Sequence, residues 1–355
     1  MIPSCDARCA PAEPLVTRRP AAETSGAQEA SEGILRLPGE FRLHHGGSLR
    51  DVEVAWRLEG ARGAPVVVAL GGISAHRRVF CVEDRRAGWW SELAGPGLPL
   101  DAGSYRLLGY DFLGGSGQST APVRGAAAFP PVSSFDQADL LRVLCDGLGI
   151  GRLHAIAGAS YGGMVALAFG QRYPDRVKRL LVISASHTAN PLATAWRSVE
   201  RECVRFGLAR GDGPGGLRLA RALAMATYRT RAEFDQRFSR EARRVDDRML
   251  FPVEEYLFAR GDAYAGRYAP ESFLCLSESI DLHRVDPERV AVPATLVGIT
   301  GDQLVTIEEM RELECRLAGP ARLYELDSLF GHDAFLKERE RLAPIFREGL
   351  EGGAS

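Results

Sequence analysis

Short runs of β-branched and aliphatic residues alternate along this chain with longer segments whose apolar positions recur every three or four residues. Pro65-Val66-Val67-Val68-Ala69-Leu70, Leu153-His154-Ala155-Ile156-Ala157, residues 177–184 and Ala294-Thr295-Leu296-Val297-Gly298-Ile299 are apolar at nearly every position, as is 105–111. Strands of that kind are covered on both faces, which is the situation in a parallel sheet flanked by helices. Helical patterns at 134–148, with Ser133 or Ser134 as cap, and from Met164 to Tyr173, stopped by Pro174, supply crossovers between them. Phe41-Arg42-Leu43 and Val52-Glu53-Val54-Ala55-Trp56 alternate and suit an antiparallel opening hairpin. From 188 to 290 strands give way to helical periodicity at 193–209, 216–227, 232–238, 253–269 and 270–282. The expected layout is an α/β core over 34–187 and 291–350, with helices on both faces of a mostly parallel sheet and a helical lid inserted at 188–290. Residues 1–33 are rich in Ala, Pro, Glu, Ser and Thr without periodicity, and are expected to be disordered.

Composition narrows the function. With 355 residues, 45% hydrophobic and 25% charged, the chain can bury a large core. A formal net charge of −2 offers no field for nucleic acid or an anionic membrane, and no apolar run reaches the ~20 residues of a membrane span. The N-terminus lacks the basic-then-apolar order of a secretory signal. Seven scattered cysteines form no framework, and Cys5-x-x-x-Cys9 has no second pair, so reduced thiols and a cytoplasmic location are expected. His76, His187 and His283 show no ligand spacing, and no metal is expected.

The candidate chemistry is concentrated in three places. Gly158-Ala159-Ser160-Tyr161-Gly162-Gly163 lies between a strand and a helix, the arrangement of a nucleophile elbow. The serine needs a strained backbone there, and its neighbours must be nearly free of side chain so that strand and helix can approach. Asp302 follows the strand 294–299, and His332 follows the strand-like Arg322-Leu323-Tyr324-Glu325-Leu326. The chain order Ser, Asp, His is that of α/β-hydrolases. Each of the three falls on a loop after a strand, so all three should open at one edge of the sheet. An acyl reaction at Ser160 also needs donors for an oxyanion, and the backbone amides of Tyr161 and Ile73, in Gly71-Gly72-Ile73-Ser74, are placed for it.

These segments resemble homoserine O-acyltransferases of the α/β-hydrolase fold from about residue 40 to 345. The resemblance rests on Gly158 to Met164, Ser328-x-x-Gly331-His332-Asp333-Ala334-Phe335-Leu336, Trp89-Trp90…Gly95-Pro96-Gly97, Val253-Glu254-Glu255-Tyr256-Leu257 and Thr227-Tyr228-Arg229-Thr230. It implies transfer of an acyl group from succinyl-CoA or acetyl-CoA to the hydroxyl of L-homoserine, in methionine biosynthesis. Ser160 would be the nucleophile, Asp302 the acid and His332 the base. Arg201 would bind the acceptor's carboxylate and Asp333 its ammonium, because a buried charge needs an opposite partner. It also implies a homodimer through the lid helices and no cofactor beyond acyl-CoA as co-substrate. The basic loop His76-Arg77-Arg78 suggests that Arg77 or Arg78 pairs with the distal carboxylate of a succinyl group. L-serine as the acceptor of succinyl, or plain serine-hydrolase (esterase) activity, are the alternatives.

Overall fold

Alternation within single strands decides which helices each residue meets. In β4 (Val66–Leu70) Val68 and Leu70 face one apolar core, while Val67 and Ala69 face the other. The first core is closed by α1 (Ser134–Gly147) and α2 (Tyr161–Arg172), through Leu140, Leu144, Val165 and Phe169. The second is closed by α10 (Arg339–Glu351), through Leu342 and Phe346, with Trp90 beside them. This computed structural model describes residues 15–20, 28–123 and 128–352.

The remaining strands are β1 (Leu15–Pro20), β2 (Gln28–Arg42), β3 (Ser48–Ala61), β5 (Arg106–Tyr110), β6 (Ala155–Ala159), β7 (Leu180–Ile183), β8 (Ala294–Ile299) and β9 (Ala321–Leu326). They form one sheet in the order β1-β2-β3-β5-β4-β6-β7-β8-β9. The ladders from β5 to β9 are parallel, and those joining β1, β2, β3 and β5 are antiparallel. Strand order reverses beside β4, so the loops after β4, β6, β8 and β9 gather at one sheet edge, the place where such sheets bind ligands. Of the two serines that the sequence offers as cap, Ser133 caps α1, in a reciprocal box with Asp136.

Residues 1–33 do not behave as one disordered tail. Leu15–Pro20 and Gln28–Arg42 are strands, and β2 pairs with β3 from Gln28↔Ala61 onward. A backbone ladder holds this polar stretch, so apolar periodicity gave no sign of it. Residues 1–14 and 21–27 lie outside the described residues, and with them Cys5 and Cys9.

Between β7 and β8 stand α3 (Pro191–Ala209), α4 (Gly213–Tyr228), α5 (Arg231–Arg237), α6 (Pro252–Ala265) and α7 (Pro270–Asp281). A short hairpin, Arg243–Val245 with Arg248–Leu250, lies among them and had no clear sequence signal. Asn190, Asp212 and Thr230 cap α3, α4 and α5 by accepting from the amide three residues on. Two further helices matter to the site: α8 (Ile307–Arg316) after β8, and the single turn α9 (Ala334–Lys337) after His332. No helix among the described residues is long and apolar enough to cross a membrane.

Candidate active site

Ser160 occupies the one residue between β6 and α2, at φ 54° and ψ −124°. A non-glycine residue in that region stores roughly 1–3 kcal/mol of strain. Three backbone bonds impose it: Ser160 N–H donates to Ile183 O, and its carbonyl accepts from Gly163 and Met164. The neighbouring glycines are required by space. A Cβ on Gly158 would lie 2.2 Å from Gly162 O, and one on Gly162 would lie 2.4 Å from Leu70 O. Tight approach of β6, β4 and α2 therefore pushes the serine side chain out of the turn and into an open cavity.

Asp302 and His332 reach the same point from β8 and β9. His332 Nε2 is 2.8 Å from Ser160 Oγ, and His332 Nδ1 is 2.7 Å from Asp302 Oδ2. The other carboxylate oxygen of Asp302 accepts from the amides of Leu304 and Val305 at 2.8 and 3.1 Å. That fixes the carboxylate plane and with it the imidazole. Both residues are buried. Burial disfavours the imidazolium, but the adjacent Asp302 carboxylate outweighs it by charge and hydrogen bond, and the His332 pKa lies above its ordinary value. Such a relay can take the serine proton and hold the charge that results.

Tyr161 is the first residue of α2, so its amide has no carbonyl of its own helix to bond and points from the helix N-terminus. Its side chain is a packing element: the ring is fully buried and the hydroxyl lies 2.7 Å from Ser279 Oγ. Ile73 lines the cavity, its carbonyl accepting from the Tyr268 hydroxyl at 2.8 Å.

The cavity above the serine has a volume of about 560 Å³ and is roofed by α3, α4 and α7. Asp333 lines it, with Oδ2 3.0 Å from Arg229 Nη2, so its charge is already shared. Arg201 does not line it. Its Nη1 donates to Asp281 Oδ2 at 2.6 Å and to Ser277, beneath α7. The arginines that do reach the cavity from these helices are Arg197, one turn earlier on α3, and Arg221 on α4. Glu200 joins them, with its carboxyl pushed up to about 7 by burial despite Arg197, Arg221 and Arg201 nearby. For Arg221, burial opposes the charge, yet Tyr228, Tyr264, Asp333 and Glu200 together raise its pKa. Its guanidinium lies over the rings of Tyr228 and Tyr264, at 5.1 and 4.8 Å.

Arg77 and Arg78 also miss the cavity. Arg77 is locked to Asp111, Nη1 to Oδ2 at 2.6 Å, and to Gln118 at 2.8 Å, while Arg78 turns toward Glu32. Asp111 is a buried carboxylate at the end of β5, and it claims the nearest cation. Neither arginine is placed to meet an acyl group on Ser160. A sequence signal for Arg197 and Glu200 existed: Ala193, Arg197, Glu200, Arg201 and Val204 share the buried stripe of α3, and charges on a buried stripe need a purpose. Among the described residues no group of three or more His, Cys, Asp or Glu side chains could hold a metal ion.

Comparison with known proteins agrees with this geometry. Residues 65–338 match the family model of the α/β-hydrolase fold. The chain is 41% identical to a homoserine O-succinyltransferase of Xanthomonas campestris pv. campestris, over 96% of this chain and 89% of the relative. It is 34% identical to a serine O-succinyltransferase of Litchfieldella anticariensis, over 89% of this chain and 97% of that one. In three dimensions it superposes on a homoserine O-acetyltransferase from Bacillus anthracis with a TM-score of 0.81 at 19% identity, over 93% and 99% of the two chains. An elbow serine before a helix, an acid and a histidine on later loops of the same sheet, and relatives of this extent lead to one conclusion: the chain is an acyltransferase and belongs to the homoserine O-acyltransferase family of the α/β-hydrolase fold.

Proposed function

We propose that the protein transfers an acyl group, succinyl in preference to acetyl, from acyl-CoA to the side-chain hydroxyl of L-homoserine through an acyl-Ser160 intermediate. The observation that carries this reading is the relay Asp302–His332–Ser160 opening into a cavity that Arg221 and Asp333 both line, with the Asp333 charge acting on Arg221. A serine relay alone serves any acyl transfer. A cation and an anion lining one cavity suit the zwitterionic head of an amino acid, whose carboxylate and ammonium sit on one carbon. Arg221 thus takes the carboxylate role expected of Arg201, and Asp333, helped by Glu200, takes the ammonium.

The steps follow from the geometry. His332 Nε2 accepts the Ser160 proton, and the alkoxide adds to the thioester carbonyl. The oxyanion is received by the amides of Tyr161 and Ile73, each worth roughly 3 kcal/mol in such sites. Imidazolium returns the proton to the departing thiolate, and CoA leaves as a thiol. In the second half, homoserine loses its hydroxyl proton to His332 and attacks the acyl carbonyl, and Ser160 is released with the proton back on its oxygen. The helices α3 to α7 act as a lid that keeps water from the acyl-serine. An effective molarity of ~10⁵ M or more for an oriented hydroxyl lets transfer outrun hydrolysis.

The product would be an activated homoserine ester for methionine biosynthesis, made in the cytoplasm. A homodimer through the lid belongs to the same reading, since Val199, Phe206 and Leu219 stand exposed on α3 and α4. L-serine is the second acceptor to test, because the Litchfieldella relative is a serine O-succinyltransferase and one methylene changes binding by only ~1–3 kcal/mol. The experiment crosses both acceptors with succinyl-CoA and acetyl-CoA, following free thiol, with mass spectrometry of the protein before acceptor is added. Thiol release that depends on homoserine, with an adduct on Ser160, is expected. Release that is equal without any acceptor would make the protein a hydrolase.

A further inference from the structure

An amide that receives an oxyanion, as proposed above for Ile73, works best when its peptide is already fixed in place. The core fixes part of the turn that carries Ile73. Gly71 O accepts from the Gly162 amide at 2.9 Å, which ties the start of the turn to the first residues of α2. At the far end Arg77 N donates to Asp111 Oδ1 at 2.8 Å. Inside the turn Gly72 O accepts from Ala75 N at 2.8 Å. The Gly72 carbonyl and the Ile73 N–H belong to one planar peptide and point opposite ways, so this bond aims the amide. The Ile73 N–H itself has no acceptor among the described residues.

The rest of the support comes from the lid. Tyr264, in the last turn of α6, and Tyr268, just beyond that helix, stack with ring centroids 4.9 Å apart and planes 16° apart. The Tyr268 hydroxyl donates to Ile73 O at 2.8 Å, and the Tyr264 hydroxyl lies 2.9 Å from Ser74 Oγ. Among the described residues, every hydrogen bond of Ile73 and Ser74 runs to these two tyrosines. Both are buried, and burial pushes the Tyr268 hydroxyl well above its ordinary pKa, so it stays a donor. The Ile73 side chain packs against the same lid core, which includes Val204, Leu217 and Phe273. Ala269 N donates to Ser116 Oγ at 2.9 Å and seats this segment on the loop after β5. The Arg221 guanidinium lies 4.8 Å over the Tyr264 ring, so the stack also borders the proposed acceptor site.

We infer that Tyr268, supported by Tyr264, is a positioning residue for the oxyanion hole: the lid completes the hole by clamping Ile73 and Ser74. The inference rests on the acyl-serine reading of the site. The Tyr268 hydroxyl is engaged by Ile73 O, so it acts through the turn and leaves the reacting atoms to the amide. A lid that is not seated leaves Ile73 and Ser74 without either bond, and a donor displaced by 1 Å costs about 10²-fold in rate. Lid and chemistry are thereby coupled by two hydroxyl groups, beyond the exclusion of water.

The test uses the full-length protein and Tyr268→Phe, which keeps the stacked ring and removes only the hydroxyl. Tyr256→Phe is the control, since Tyr256 stands on the same helix α6 and its hydroxyl has no partner. Two readouts are taken: kcat and KM for transfer to L-homoserine, and affinity for an alkylboronic acid, which adds to a serine as a tetrahedral anion. In Tyr268→Phe kcat should fall about 10-fold or more, short of the ~10²–10³ of losing a donor outright, with KM for homoserine within about twofold. Boronate affinity should fall by a similar factor, and Tyr256→Phe should change neither. A kcat unchanged in Tyr268→Phe, or one that falls while boronate affinity holds, overturns the inference. If Tyr268→Phe fails to fold, Ser74→Ala, which removes the bond to Tyr264, decides by the same two readouts. Should no acceptor be acylated, the acyltransferase reading fails. Boronate affinity and hydrolysis of a 4-nitrophenyl ester at Ser160 then decide the clamp by the same comparison.

Discussion

Replacing Glu200 by glutamine should stabilise the protein at neutral pH and leave it unchanged in acid. The Glu200 carboxyl is raised from its ordinary 4.5 to about 7, first because burial strips water from the charged form, with Arg197, Arg221 and Arg201 pulling the other way and Asp281 adding to the rise. In the unfolded chain the same carboxyl titrates near 4.5. Between these values the folded state holds a proton that the unfolded state has lost. Stability from this group is therefore fully present below pH 4.5 and drains away as pH rises through 7. At ~1.4 kcal/mol per pH unit, the loss by pH 8 is about 3 kcal/mol. Glutamine has the same shape and nothing to titrate, so Glu200→Gln keeps the packing and removes the slope. The assay is urea unfolding of both proteins in parallel at pH 5, 6, 7 and 8, so that every other titrating group cancels in the difference. The gap should widen in favour of the variant by up to about 3 kcal/mol and level off above pH 7.5. A gap that stays constant across the series would refute the placement of an ionisable Glu200 beneath the lid. The cost of carrying this residue makes sense if its ionised form meets the acceptor ammonium, so the stabler variant should also show a raised KM for the amino acid.

The relay and the lid arginines make sharper kinetic statements. Because Asp302 lifts the His332 pKa against burial, kcat/KM should rise with pH through a value above 6.5, and Asp302→Asn should lower that value and cost about 10⁴-fold in kcat. A pH profile that does not move in Asp302→Asn would refute the coupling. Arg201→Met should act on stability, by ~1–3 kcal/mol from the lost bonds to Asp281 and Ser277, with KM for the acceptor within about threefold. Arg221→Met should raise that KM by about 30-fold or more, with any acyl donor. Interchanged outcomes for these two variants would restore Arg201 as the carboxylate partner.

The parts legible in the sequence were those whose cause is local. An elbow needs a strand, a helix and glycines within a dozen residues, and Gly158 and Gly162 write that requirement into the chain because no Cβ fits beside Leu70 and the first turn of α2. Asp302 and His332 were found from the strands before them, since parallel strands deliver their following loops to one edge. What stayed hidden depends on partners far along the chain. Arg197 and Arg201 lie one turn apart on the same stripe of α3, so spacing cannot say which reaches the ligand. α7 decides it by carrying Ser277 and Asp281 under Arg201, which does not line the cavity, whereas Arg197 does. Arg77 was read from a basic tripeptide, yet its charge is answered by Asp111, thirty-four residues on at the end of β5. The polar strand β2 is held by its ladder to β3, which leaves no apolar period to read. Backbone strain and strand order are thus inscribed locally, whereas which of several like charges is free for a ligand is settled by the countercharge that each meets after folding. Substrate specificity in a scaffold of this kind is for that reason better sought among the charged side chains that line the cavity after folding than in the density of basic residues along a loop.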